Sequence, residues 1–460
     1  MLNSLKLVLF ISVALLSNSA WAQASSLDWG ERLHFFRWLE NYDDFEPKQH
    51  DTFATFKHLK LTESSTSYLT IGGDYRGRFE HYSNQMFGIA SDDSSNSRLQ
   101  RFMLHADLQL ESSRFFVQLS KYTEEGLVNG PRPLDESAVD FQQAFYESKA
   151  EWGKFKVGRQ EFVLGGGKKT GVREGPNQRR AFDGINFTLI GNSNNTTDIF
   201  YMQEVQPKNE SFKDSSSSAR RFYGVHANAL VAWENDVAMD VFYYGYDHDR
   251  KVYEQGVGKE ERHSVGVRLA KKQGDIQFDY ELTHQFGDFG QYDISAWGLA
   301  SETSFFVESL DWMNNVGVRI NYASGDSNSQ DSELGTYNAL FPNAAYVSES
   351  ALFAPGNVKD IQPFVNLQLT PYLTVFAGLD FLWRASKGDA LYVNPGFPLL
   401  TSKTSDDSFY GTQFNLIATW QLTNFFSIQG FYTNTYVGDF IKDSGGRNSQ
   451  FYMTSVAFKF

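Results

Sequence analysis

From Tyr68 onward the chain alternates apolar and polar side chains with a period of two, the signature of half-buried strands. Leu69, Ile71, Tyr75 and Phe79 fall on one face, with Asp74, Arg76, Arg78 and Glu80 on the other. The next segment repeats this, with Phe102, Leu104, Ala106, Leu108 and Leu110 against Arg101, His105, Asp107, Gln109 and Glu111. Ile276, Phe278, Tyr280 and Leu282 oppose Gln277, Asp279, Glu281 and Thr283, and Phe414, Leu416, Ala418, Trp420 and Leu422 oppose Gln413, Asn415, Thr419 and Gln421. Many segments reach about 10 residues or more, the length that crosses a bilayer at a tilt. A β-sandwich would alternate similarly but with shorter strands.

The connections fall into two classes. Tight ones occur at Glu111–Arg114, Ala150–Lys154, Gly191–Asn195, Trp233–Val237, Gln273-Gly274, Thr370-Pro371-Tyr372 and Thr423-Asn424. Long polar ones alternate with them, at Ser83–Ser97, Thr123–Val139, Val163–Ala181, Gln206–Arg220, Arg250–Glu261, Ser324–Val358, Ser386–Asp407 and Gly438–Asn448. This predicts an all-β fold, a transmembrane antiparallel β-barrel of about 18 strands with short periplasmic turns and long extracellular loops. Tyr292 to Ser309 reads as one long strand, which keeps the count even. The last segment runs from Phe451 to Phe460 and resembles the terminal strand by which outer-membrane barrels are recognised. It must pair with the first strand to leave no open edge in lipid.

The start of the chain differs in kind. Lys6, the apolar run Leu7 to Leu16 and Ala20-Trp21-Ala22 read as a signal peptide over residues 1–22. Residues 23–67 read as a periplasmic segment, either a mobile leader or a piece whose aromatics Trp29, Phe35, Phe36 and Trp38 dock beneath the barrel; residues 68–460 are the barrel. There is no cysteine, the net charge is -14, and aromatic residues make up 16% of the chain. The acidic balance argues against nucleic acid as a partner. The aromatic content combined with a negative mean hydropathy suits strands that are greasy on one face only.

The stretch Gly158 to Gly184 breaks the alternation. Between its end glycines lie four arginines, two lysines and five glycines. Arg159, Arg173, Arg179 and Arg180 share it with Glu161, Glu174 and Asp183. A dry core would not take so many charges unpaired, whereas a water-filled lumen accepts them. Strand parity adds Arg76, Arg78, Arg101, Arg268, Arg319 and Arg384 as lumen candidates.

The chain resembles the alginate export family of bacterial outer-membrane proteins. The matching stretches are Tyr68-Leu69-Thr70-Ile71-Gly72-Gly73 with Arg76 and Glu80, Gly158-Arg159-Gln160-Glu161-Phe162, and Arg173-Glu174-Gly175-Pro176-Asn177 with Arg180 and Phe182-Asp183-Gly184. Tyr322-Ala323-Ser324-Gly325-Asp326 and Asn338-Ala339-Leu340-Phe341-Pro342 also match. The resemblance implies an outer-membrane channel for an anionic polysaccharide or its oligomers, such as a polyuronate, and places Arg159, Arg173, Arg179 and Arg180 at the constriction. A periplasmic secretion partner would be in keeping with it. Guanidinium suits this work because it stays charged and grips carboxylates with two hydrogen bonds. Glu80, Glu161, Glu174 and Asp183 would hold the arginines and keep binding weak enough for release. The alternative is a general diffusion porin for small anions or sugars.

Other motifs carry less. Gly165-Gly166-Gly167-Lys168-Lys169-Thr170 fails the phosphate-loop spacing, so its glycines are expected to let a loop fold back into the lumen. Asp326-Ser327-Asn328 and Asp331 lack the glycine and closing glutamate of a calcium loop, and no metal or cofactor is expected. Asp247-His248-Asp249 suggests a rim dyad, but no Gly-x-Ser-x-Gly stretch accompanies it, and the chain does not read as an enzyme.

Overall fold

The computed structural model describes residues 30–46, 52–62, 66–89, 94–192, 195–231, 237–307, 310–343, 350–394 and 396–460. The proposed signal peptide and the Trp233–Val237 turn lie outside or at the edge of these residues. Within them, eighteen antiparallel strands close into a barrel. They are β1 (Tyr68–Ser83), β2 (Ser94–Gln109), β3 (Ser113–Glu125), β4 (Ser137–Ala150), β5 (Gly153–Gln160), β6 (Phe182–Ile190), β7 (Thr196–Gln206), β8 (Ser215–Val231) and β9 (Val237–Tyr253). There follow β10 (Gly256–Lys271), β11 (Ile276–Phe289), β12 (Tyr292–Phe306), β13 (Met313–Ala323), β14 (Val358–Thr370), β15 (Leu373–Trp383), β16 (Phe409–Thr423), β17 (Phe426–Val437) and β18 (Ser449–Lys459). Each strand pairs with the next in sequence. The seam is sealed by β18 against β1, in register from Ser83↔Gln450 to Asp74↔Lys459. Tyr292–Phe306 is indeed a single strand.

The alternation sorts as a membrane barrel requires. Phe79, Phe102, Leu104, Val241, Leu282, Ile320 and Tyr452 are exposed on the outside. Their sequence neighbours Glu80, Arg101, His105, Asp240, Glu281 and Met453 are buried on the inside. Trp420 and Trp297 lie on the outer face, and Trp383 packs beside Phe409.

Two expectations about the connections need correcting. Arg250–Glu261 is not a long loop: β9 and β10 run on until Tyr253 faces Gly256, leaving a two-residue turn. At these strand ends the outer face need no longer be apolar, while Tyr253 packs inward with Phe289 and Tyr392, so the alternation fades while the pairing continues. The stretches Ser324–Val358 and Ser386–Asp407 are not uniformly polar connections. Their Tyr337, Leu352, Phe353, Leu391, Val393 and Leu400 pack with Tyr410, Phe440 and Ile441 into a buried apolar cluster that caps the loop end.

At the opposite, turn end, residues 30–46 and 52–62 dock. β18 stops opposite Asp74, so the first residues of β1 lack a partner on that side. The pair Leu59–Lys60 covers them, facing Leu69 and Tyr68. The Ile71 amide donates to the Phe56 carbonyl at 2.7 Å, and the Thr70 hydroxyl donates to Lys57 at 2.7 Å. An open strand edge is thereby satisfied by the chain's own leader.

Candidate functional site

The segment between β5 and β6, residues 161–181, does not arch outward. It crosses the bore. Gly165 and Gly167 adopt the left-handed conformation that glycine takes freely. This lets the backbone press against the wall: a side chain on Gly165 would meet Asp240 at 3.3 Å, and one on Gly166 would meet Arg268 at 3.1 Å. Lys168 then pairs with Asp279 at 3.0 Å and Lys169 with Glu281. Phe162 and Leu164 sink into an inward-facing aromatic patch made by Phe182, Phe200, Phe222, Phe242 and Tyr244. The stretch has no sustained apolar face in sequence, yet these two residues give it an apolar anchor. Its return leg is bridged to the β13–β14 loop, where the Gly171 amide donates to the Phe341 carbonyl at 2.8 Å.

On the far side, the segment meets β1 and β2, and Glu174 is the hub. Arg101 donates to its carboxylate at 2.6 Å and Arg76 at 3.2 Å, while the Arg179 Nε stands 3.3 Å away. Burial pushes the Glu174 carboxyl up, but Arg101, Arg179 and Arg76 outweigh it and hold it well below the usual carboxylate range. Arg179 also pairs with Glu161 at 3.1 Å. Arg76 reaches the main-chain oxygens of Glu174 and Pro176, and Arg78 that of Gly175. Four groups on one short segment, the Glu174 carboxylate and three main-chain oxygens, are thus gripped by inward arginines of β1 and β2.

The other sequence candidates divide into separate clusters. Arg159 pairs with Asp183 at 2.9 Å and Asp140 at 3.4 Å, near the rim. Arg180 pairs with Glu204 at 3.2 Å and donates to the Phe341 carbonyl at 2.6 Å. Arg268 ties Asp240 and Asp279 across three adjacent strands, at 2.7 and 2.6 Å. Arg319 is half-exposed to the bore beside Glu302, at 2.6 Å. Arg384 stands one residue past β15 and caps the Lys387, Ser402, Ser405 and Asp407 carbonyls of the loop-end cap.

Arg173 differs from all of these. Its backbone is left-handed, with φ of 56°. Its guanidinium makes no ion pair among the described residues, and its Nε is buried without a hydrogen-bond partner. Burial lowers its pKa, and the nearby charges of Glu204 and Asp135 repay only part of the desolvation. It faces a cavity of about 510 Å³ between the constriction and the loop-end cap. Arg78, Arg132, Arg180, Arg220 and Lys251 line the same space, with Tyr246, Tyr253, Tyr392, Phe341 and Phe397. Lys251 likewise makes no ion pair among the described residues, and its ammonium stands 5.5 Å from the Tyr253 ring centroid.

Sequence reasoning missed Arg132, Arg220, Lys251 and Arg262. Arg132 sits in a loop, where parity says nothing, yet it clasps Glu124, Glu80 and Asp135. Arg262 did carry a signal, since Glu260, Arg262 and Ser264 alternate on one face of β10 and all are fully buried. His248 accepts a hydrogen bond from Arg220 at 3.2 Å, and Asp247 pairs with Arg221 at 3.1 Å, so the two do not form a dyad.

A protein-family model described as "Alginate export" matches residues 67–455. No curated protein sequence matches the chain. Solved structures share the barrel. Pseudomonas aeruginosa OpdO aligns at 10% identity and a TM-score of 0.58, over 85% of this chain and 97% of that one. Pseudomonas aeruginosa OccK2 (OpdF), solved in complex with glucuronate, aligns at 10% identity and 0.58, over 85% and 98%. A BenF-like porin from Pseudomonas fluorescens Pf-5 aligns at 12% identity and 0.58, over 85% and 98%. At such identities the likeness speaks for the fold.

Proposed function

The chain belongs to the alginate export family and is a channel of the bacterial outer membrane, and from that premise we propose that its lumen passes an anionic polysaccharide or its oligomers, with uronate carboxylates handed along arginines. The observation that carries this is Arg173. Most inward arginines are already bound to carboxylates or carbonyls of the chain and act as staples for the constriction. Arg173 and Lys251 are not, and they share one cavity with five tyrosines, Tyr246, Tyr253 and Tyr392 among them. A cation without a partner, held away from bulk water, attracts an incoming carboxylate. The tyrosine and phenylalanine faces offer flat contact for sugar rings. At about 510 Å³ the space falls within the ~300–1,000 Å³ of small-molecule sites. Glu204 and Asp135 lie near enough to Arg173 to moderate the grip, as conduction requires. That one similarly folded porin was solved with glucuronate supports a uronate-bearing solute.

The test is planar-bilayer recording with uronate oligomers and neutral oligosaccharides of equal length. Saturable current block by the uronates alone is expected. Equal effects of both would favour a general diffusion porin.

A further inference from the structure

The N-terminal segment reaches further than closing a strand edge requires. Arg37 is buried to 1% exposure and paired with Glu40 at 2.5 Å. Its guanidinium bridges the barrel seam, donating to the Gly73 carbonyl at 2.9 Å and the Phe460 carbonyl at 2.7 Å. The next residue, Trp38, accepts a hydrogen bond from Arg114 of β3 at 2.7 Å. On the other side, Gly30 lies against Asn424 in the β16–β17 turn. The segment therefore spans an arc of the turn-end mouth from β16 to β3. Beneath it, His105, Asp107, Gln109 and Arg114, inward residues that an open aqueous bore would wet, are 2–8% exposed. Its tip goes deeper: the Phe35 and Phe36 rings stand 4.4 and 5.6 Å from the Arg179 guanidinium, on the constriction itself.

We propose that residues 30–46 form a retractable plug. Docked, they narrow the turn-end mouth and occupy the face of Arg179. Withdrawn, they free that face and open the path below the constriction. The attachment suits such a part. No ion pair to the barrel holds it among the described residues; it rests on a few hydrogen bonds and on the contacts of Arg179 with Phe35 and Phe36 and of Lys459 with Phe35. Its tip leaves Phe35 43% and Leu39 55% exposed, while Leu33, Tyr42 and Phe45 pack with Tyr68, Phe425 and Phe460 in a small apolar cluster that withdrawal must part. The plug regulates the passage described above and rests on that reading for what passes, though not for whether it moves.

The chain lacks cysteine, which makes a clean lock possible. A Cβ on Gly30 would stand 3.2 Å from that of Asn424, close to the ~3.8 Å of disulfides. Gly30→Cys with Asn424→Cys, recorded in planar bilayers in plain potassium chloride, should lose its upper open level when oxidised and regain it when reduced. Deletion of residues 30–46 should abolish closures to the lower level. Identical conductance and open probability in oxidised, reduced and wild-type channels would overturn the plug. If the deletion fails to fold, the disulfide pair still decides. No sugar is present, so a lock that works while uronates fail to block keeps the plug and removes the proposed solute; the reverse keeps the solute and removes the plug.

Discussion

The guanidinium of Arg179 lies over the ring of Phe35, 4.4 Å from its centroid, and so joins the constriction to the leader of the chain. Arg179 is also bound to Glu161 and Glu174. A change at any of these positions is therefore felt on both sides of the narrowing, and the constriction behaves as a charge network rather than a ring of independent arginines.

The hub of that network is Glu174. Glu174→Gln keeps the shape and removes the charge that Arg76, Arg101 and Arg179 share. Reversal potentials in a salt gradient should shift toward anions. The loop should also loosen, by less than the ~3–5 kcal/mol typical of breaking a fully buried pair, because the carboxylate is 27% exposed. A selectivity equal to wild type would show that the three arginines do not face permeating ions.

Arg173→Asn removes the unpaired guanidinium and keeps a residue that tolerates the left-handed backbone. Block by uronate oligomers should weaken roughly 10- to 100-fold, the worth of about 1.5–3 kcal/mol for a charged hydrogen bond. Arg384→Ala, in the loop-end cap, should leave the block unchanged. Titration of single-channel current against oligomer concentration measures both.

Gly165→Val should push the crossing segment off its wall. The φ of 53° strains a branched residue, and Asp240 and His226 stand 3.3 and 3.4 Å from the new Cβ. Larger and noisier unit conductance is expected, with the barrel itself still folded by heat-modified electrophoresis.

The seating of the leader should depend on pH through Lys57. Burial lowers its pKa from 10.5 to about 7, with Glu40 opposing and Arg37 adding to the shift. Its amine donates to the Ile71 carbonyl at 3.3 Å and lies over the Tyr42 and Phe460 rings. The undocked segment binds the extra proton between those two values, so docking strengthens as pH rises from about 7 to 10.5 and has no further dependence on Lys57 below 7. Hydrogen exchange at the Ile71 amide, corrected for intrinsic rate, should show rising protection across that window. The same slope in Lys57→Met would remove Lys57 as the cause.

How much of this was legible beforehand follows from what alternation encodes. Within the hydrocarbon one face must be apolar, so β1, β2, β11 and β16 declared themselves. Above it that demand lapses, and the ends of β9 and β10 looked like loop. Parity also placed Arg76, Arg101 and Arg268 on the inner face. It carried nothing about partners, because Glu174 lies 73 residues from Arg101 in sequence yet 2.6 Å away in space. Phe162 and Leu164 were passed over among the surrounding charges, and their anchor is visible only once Phe200 and Phe242 are known to point inward.

Arg37 holds main-chain oxygens on both sides of the seam, one on β1 and one just past the end of β18. Those two strands are the farthest apart in sequence of any neighbouring pair, and their meeting completes the cylinder. The leader's grip exists only once they have met. Closure of the wall and seating of the stopper are then coupled during biogenesis, so a newly inserted copy would enter the membrane with its turn-end mouth already narrowed.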